Sequence, residues 1–188
     1  MSLLFQEEKI GNITLKNRIV MPPMCMYKSD DSGELKAFHK THYLARAIGG
    51  VGFIIVEATA VEPKGRISDA DLGLWEDSQI IQHKELNEDI HFFGAKTAIQ
   101  IAHAGRKSTV KDTTPIAPSV IAFSNEEPFK IPISASLEDI KNIKELFVKT
   151  AIRAKKANYD AIELHAAHGY LLCEFLSPLS NTREDIYG

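Results

Sequence analysis

The sequence has little cysteine, no excess of charge of either sign and no long apolar run. Its two cysteines in 188 residues, Cys25 and Cys173, lie far apart in unlike surroundings, which is not a disulfide framework and points to reduced thiols. Lys and Arg number 22 against 25 Asp and Glu, a net charge of −3 with both signs interspersed. Without a basic stripe, neither nucleic acid nor an anionic membrane surface is an expected partner. The opening Met1-Ser-Leu-Leu-Phe-Gln-Glu-Glu-Lys9 carries charge where a secretory signal needs its apolar segment, and no run approaches the roughly 20 residues of a membrane span. A cytoplasmic protein is therefore expected. No internal repeat, low-complexity tract or linker divides residues 1–188, so they read as one structural unit.

With 44% hydrophobic and 25% charged residues, the chain can bury one sizeable core. Apolar runs alternate with helical segments, the pattern of an α/β fold whose parallel sheet is covered by helices. A hairpin is expected over 10–16 and a first strand over 18–21. A helix over 40–48 should stop at Gly49-Gly50, and the run 51–56 is too continuously apolar for a strand buried on one face only. Asp77 or Ser78 is placed to cap a helix whose buried stripe includes Leu86, Ile90 and Phe93. A third strand, 96–101, follows, with Gln100 at its C-terminal end. Residues 107–135, containing Pro115, Pro118, Pro128 and Pro132, read as a long irregular excursion of a length suited to a lid. Ser136-Leu-Glu-Asp139 resembles a capping box, and Ile140, Ile143, Phe147, Ala151 and Ala154 keep helical spacing up to Asn158. The fourth strand is 161–164.

Barrels of parallel strands carry their reactive groups at the C-terminal strand ends, and the chemically unusual residues here fall at such ends. The fourth strand delivers His165-Ala-Ala-His168-Gly-Tyr170, several proton donors near one point, as polarising and then protonating a carbonyl system needs. Gln100 places a carboxamide in an apolar strand, where it must find partners. Other readings are open at each position. His165 and His168 could be satisfied core histidines, or, with Glu163 and His103, ligands in a metal-dependent barrel hydrolase. Cys25 could be a buried structural thiol, Tyr27 and Tyr170 rim aromatics, and Ala58 a small core residue. His103 and Arg106 suit a loop brace, and Cys173 is expected to be packed.

Together, Pro22-Pro23-Met24-Cys25-Met26-Tyr27, Gln100-Ile-Ala-His103-Ala-Gly-Arg106 and His165-Ala-Ala-His168-Gly-Tyr170 resemble the old yellow enzyme family of flavin-dependent (βα)8 barrels, in its bacterial ene-reductase branch. The resemblance covers all 188 residues, whereas family members run to nearly twice this length. It implies the N-terminal half of a TIM barrel, about four βα units behind an N-terminal hairpin, with the C-terminal half absent. Asn181-Thr-Arg-Glu-Asp-Ile-Tyr-Gly188 resembles the middle of a family motif, which implies truncation. The implied cofactor is FMN, contacted by Pro22, Pro23, Met24, Cys25, the backbone of Ala58 and, at its pyrimidine edge, Gln100; Cys25 would adjust its reduction potential. Tyr27 would lie on the substrate side, His165 and His168 would hold the substrate carbonyl oxygen, and Tyr170 would give a proton to the α-carbon. NADPH or NADH would supply hydride for reducing an α,β-unsaturated carbonyl compound. The flavin-binding arginine and the phosphate loops of the family lie beyond the fourth strand. The resemblance thus also implies a catalytically silent half-barrel, binding FMN weakly or not at all, that pairs with itself or with a complementary half through its open edges.

Overall fold

A computed structural model describes residues 2–188. The chain opens with an antiparallel hairpin of β1 (Glu8–Ile10) and β2 (Ile13–Leu15). Gly11-Asn12 forms its turn, with Gly11 at φ +56°, so Ile10 pairs with Ile13 and the hairpin begins at Glu8 rather than within 10–16. Then come β3 (Val20–Met21), α1 (Ala37–Ile48), β4 (Phe53–Ala60), β5 (Leu72–Gly73), α2 (Ile80–Phe92) and β6 (Lys96–Ala102). They are followed by β7 (Ile116–Ala117), β8 (Ile133–Ser134), α3 (Leu137–Lys156), β9 (Ala161–Leu164) and α4 (Leu171–Phe175). The main sheet is parallel in the order β3-β4-β6-β9, with β5 pairing to β4. Each step along β3-β4-β6-β9 is joined by a helix, α1, α2 and α3 in turn, which makes a succession of βα units.

Local chemistry sets the helix ends. Gly49 caps α1 and Gly50 turns away at φ +97°. Ser136 and Asp139 form a reciprocal box at the start of α3, whose first turn is acidic and whose last is basic; Asn158, at φ +64°, ends it. The start of α2 differs from expectation. Gln79 Oε1 accepts from the amides of Trp75 (2.8 Å) and Glu76 (3.2 Å), so a 3-10 turn over Asp77–Gln79 leads into the helix and neither Asp77 nor Ser78 is its cap. At the other end Phe93 falls outside α2 and is 38% exposed, while Leu86 and Ile90 are fully buried; the helix stops at Phe92, so its stripe does not reach Phe93.

The core lies between sheet and helices, where Tyr43, Ala47, Leu86, Ile90 and Ala154 meet Ile54, Val56, Ile99 and Ile101. Each large aliphatic buried there contributes about 1.5–3 kcal/mol. Leu15 of the hairpin packs with Phe53 and Ala98 in a separate cluster. Residues 107–135 are less irregular than expected, because β7 and β8 pair in parallel through Ile116 with Ile133 and Ala117 with Ser134. Ile116 is buried against Ile140, Ile143 and Leu171, which fastens this excursion to α3. Among the described residues, β9 pairs only with β6, and its Leu164 is 59% exposed. No helix among them is long and apolar enough to cross a membrane.

Candidate active site

Parallel pairing brings the C-terminal ends of β3, β4, β6 and β9 to one side of the sheet. Gln100 of β6 stands opposite Glu163 of β9 and donates from Nε2 to Glu163 Oε1 at 2.5 Å. The ladder continues one residue past β9, where the His165 amide donates to Ile101 O at 3.0 Å. That fixes His165, which is buried. Its Nδ1 accepts from the Ala167 amide at 3.4 Å, which leaves Nε2 to carry the proton. The chain then doubles back through His168 at φ +56° and Gly169 at φ +71°. The His165 ring consequently stands edge-on to His168, with centroids 5.2 Å apart, and to Tyr170, 4.9 Å away.

Burial lowers the His165 pKa, assisted by the neighbouring His168, and so favours a neutral imidazole. Burial also raises the Tyr170 phenol, with Cys25 and Asp71 adding to the effect, so Tyr170 keeps its proton across the neutral range. Lys107 was not anticipated from sequence. Its Nζ donates to His168 O at 3.0 Å and lies 4.8 Å from the centre of the Tyr170 ring, bracing the loop and facing the phenol's π-surface.

Pro22, Pro23, Cys25, Gln100, His165, His168 and Tyr170 line a single cavity of about 380 Å³, within the range of small-molecule sites. Met24, Tyr27 and Ala58 are not part of that lining. Met24 is 50% and Tyr27 47% exposed, and Tyr27 has φ +52°. Ala58 is buried inside β4, two residues short of its end at Ala60, because β4 runs four residues past the expected limit. The Cys25 thiol is pushed up to about 11, first by burial and then by the charges of Asp71 and Glu57.

β4 also contains a bulge. Val56 pairs with Ile99, but the next pairing joins Thr59 to Ile101, so Glu57 and Ala58 both stand against Gln100. The extra residue leaves Glu57 beside α1, where its carboxylate meets Tyr43 and His39. Glu57 was missed from sequence, although an acid set in the apolar run 53–60 is itself a signal. Two further acids were also missed. His103 Nε2 lies 2.9 Å from Glu62 Oε1, and Glu174 Oε1 accepts from the Arg106 amide at 2.9 Å; these contacts put His103 and Arg106 in a brace behind the loop after β6. Among the described residues no group of three or more His, Cys, Asp or Glu is placed to hold a metal ion.

Residues 3–188 match the NADH:flavin oxidoreductase / NADH oxidase family. The chain is 54% identical over 186 residues to an NADPH dehydrogenase of Bacillus licheniformis, covering 98% of this chain and 54% of that protein. It is 51% identical over 185 residues to an NADPH dehydrogenase of Clostridium acetobutylicum, with 98% and 54% coverage. Among solved structures it superposes on morphinone reductase with a TM-score of 0.91 at 31% identity, covering 98% of this chain and 53% of that one. It superposes equally on Old Yellow Enzyme from Pichia sp. AKU4542, with a TM-score of 0.91, 30% identity, and 99% and 51% coverage. The chain spans about half the length of the curated relatives it matches, and its βα units form a partial TIM barrel.

Proposed function

The chain belongs to the NADH:flavin oxidoreductase / NADH oxidase family, and from that premise we propose that it forms one wall of an FMN-dependent NAD(P)H oxidoreductase site that reduces the activated C=C bond of an α,β-unsaturated carbonyl compound. The observation that carries this reading is the convergence of Pro22, Pro23, Cys25, Gln100, His165, His168 and Tyr170 on one cavity. The lining suits a flavin ring on its donor set: two prolines and a thiol offer a largely apolar floor, and Gln100, whose Nε2 is engaged by Glu163, keeps its Oε1 for a ring N–H. Pro22, Pro23, Met24 and Cys25, the Ala58 backbone and Gln100 would hold the group. When bound, it would pass hydride between a nicotinamide and the substrate. NADPH is the donor in the names of the Bacillus and Clostridium relatives, and one morphinone reductase structure is a complex with tetrahydroNAD.

The remaining chemistry falls to side chains of this chain. His165 Nε2–H and the His168 ring converge from perpendicular planes and hold the carbonyl oxygen, where negative charge grows as the β-carbon gains hydride. Tyr170 Oη keeps the proton that the α-carbon requires, because its raised pKa prevents early loss. Tyr27 stands at the rim as a substrate-side contact. The free thiols Cys25 and Cys173 suit a reducing cytoplasm.

A second reading concerns these 188 residues alone. No lysine or arginine lines the cavity, so an FMN phosphate has no counter-charge there. Leu164 of β9 and, after α4, Leu176, Leu179 and Ile186 are 59–86% exposed, large apolar side chains whose exposure favours association with a second copy or with a complementary half. The test is to titrate FMN into the chain alone and into the chain co-expressed with the remaining half of the Bacillus licheniformis relative. The expected result is weak or no retention alone, and in the pair a yellow complex that oxidises NADPH in the presence of a cyclic enone or maleimide. A colourless pair would overturn the enzymatic reading, and stoichiometric FMN on the chain alone would overturn the second.

A further inference from the structure

Glu57 is 1% exposed, and the groups that hydrogen-bond to or face its carboxylate are neutral, while the charge of nearby Asp71 repels it. Oε2 accepts from the Met26 amide at 2.7 Å, and Oε1 accepts from the Tyr43 hydroxyl at 3.3 Å. The same Tyr43 oxygen accepts from Glu57's own amide at 3.0 Å, so that hydroxyl is fully committed to this one residue. His39 Nδ1 accepts from the Lys36 amide at 3.0 Å. Its Nε2–H is left facing Glu57 Oε1 at 3.6 Å with no other partner. Burying a carboxylate without a cation is costly, so α1 and the β4 bulge converge here against a penalty.

The group they present it to is the Met26 amide, between Cys25, which lines the cavity, and Tyr27, held at φ +52° where a residue other than glycine is uncommon. We propose that Glu57 is a positioning residue: gripping the Met26 amide from beneath, it fixes where the Cys25 thiol and the Tyr27 phenol stand at the cavity. The inference rests on the flavin reading only for what that loop would face. Burial holds the Glu57 carboxyl up at about 7, against the pull of Met26 and Tyr43, so the grip is strongest above neutrality. The titratable groups around it are His39 and Tyr43 on α1, Cys25 and Tyr27 on the loop after β3, and Asp71 ahead of β5.

The test uses the 188-residue chain without flavin and follows iodoacetamide alkylation of Cys25 by peptide mass spectrometry across pH 7–10, with Cys173 on α4 as the internal reference. Glu57→Gln keeps an acceptor for the Met26 amide but removes the charge. It removes one of the charges that hold the Cys25 thiol up, after burial and Asp71, so Cys25 should react a few-fold faster relative to Cys173 at pH 9. Glu57→Leu also releases the amide, and its Cys25-to-Cys173 ratio should exceed that of Glu57→Gln at every pH. A ratio unchanged in both variants, or both cysteines accelerating in parallel, overturns the proposal. Should Glu57→Leu fail to fold, Glu57→Met, which removes the acceptor at nearly the same size, takes its place in the comparison with Glu57→Gln. Because no flavin is present, a colourless protein leaves this inference standing, and a yellow complex with unaltered Cys25 reactivity removes it while sparing the proposed function.

Discussion

Replacing Asp160 tests whether one carboxylate sets the register that delivers the histidines. Asp160 directly precedes β9; its amide donates to Thr97 O at 2.9 Å and its Oδ2 accepts from the Thr97 amide at 2.9 Å. The same carboxylate meets His91 Nε2 at 2.7 Å and Lys96 Nζ at 2.9 Å. Asp160→Ala leaves the amide of the fully buried Thr97 without its acceptor, costing about 1–3 kcal/mol. The His91 and Lys96 contacts are partly exposed, at 28% and 40%, and add only about 0.2–1 kcal/mol each. A loss of about 1.4–5 kcal/mol is expected on combining these ranges, read from urea unfolding followed by Trp75 fluorescence. Asp160→Asn keeps an acceptor for Thr97 and should lose only about 1 kcal/mol. Burial pushes the Asp160 pKa up, but Thr97, Lys96 and His91 outweigh it and hold the group below the ordinary carboxylate value. Its contribution is thus complete above the unfolded pKa of about 3.9 and disappears as pH falls through the lower folded value. As the carboxyl protonates in acid it still accepts from Thr97, so the gap between Asp160→Ala and the parent should narrow toward the gap between Ala and Asn. Equal losses for Ala and Asn, or a gap between Ala and parent that does not narrow as pH falls, would refute the reasoning.

Glu174 carries the opposite linkage: burial raises it to about 8 against Arg106, so its contribution is present below the unfolded value of about 4.3 and is lost as pH rises through the folded one. Glu174→Gln should therefore gain on the parent between pH 5 and pH 9 in urea midpoints, and a pH-independent difference would contradict this. Gly105 has φ +59°, and a Cβ there would come within 2.2 Å of Glu174 Oε1, so Gly105→Ala should cost upwards of about 2 kcal/mol. Gly50→Ala, at φ +97° with nothing within 4 Å, should cost only about 1 kcal/mol; equal thermal shifts for the two would count against the clash.

The elements that sequence placed well are those whose signals are local. Ser136 with Asp139, Gly49 with Gly50, and Asn158 each satisfy or end a helix within a few residues, so their chemistry is visible without the fold. The run into β9 and the groups just after it were legible for the same reason: strand, turn and His165, His168 and Tyr170 are contiguous. Lys107 was not, since it reaches His168 and Tyr170 from a different strand end, across 61 positions of sequence for the His168 contact.

The bulge in β4 shows why periodicity alone cannot complete the site. A strand alternates faces at every residue, so one inserted residue reverses the assignment of everything after it. Simple alternation from Ile55 would place Glu57 on the same face as Ile55 and leave Ala58 facing the helices. In the structure Val56 pairs with Ile99 and Thr59 with Ile101, which turns Glu57 toward Tyr43 and His39. The insertion is stabilised from within by Thr59 Oγ1, which donates to Glu57 O at 2.8 Å. Thr59 thus closes the interruption near the end of β4, and the acid two residues before it is the group that the interruption turns toward α1.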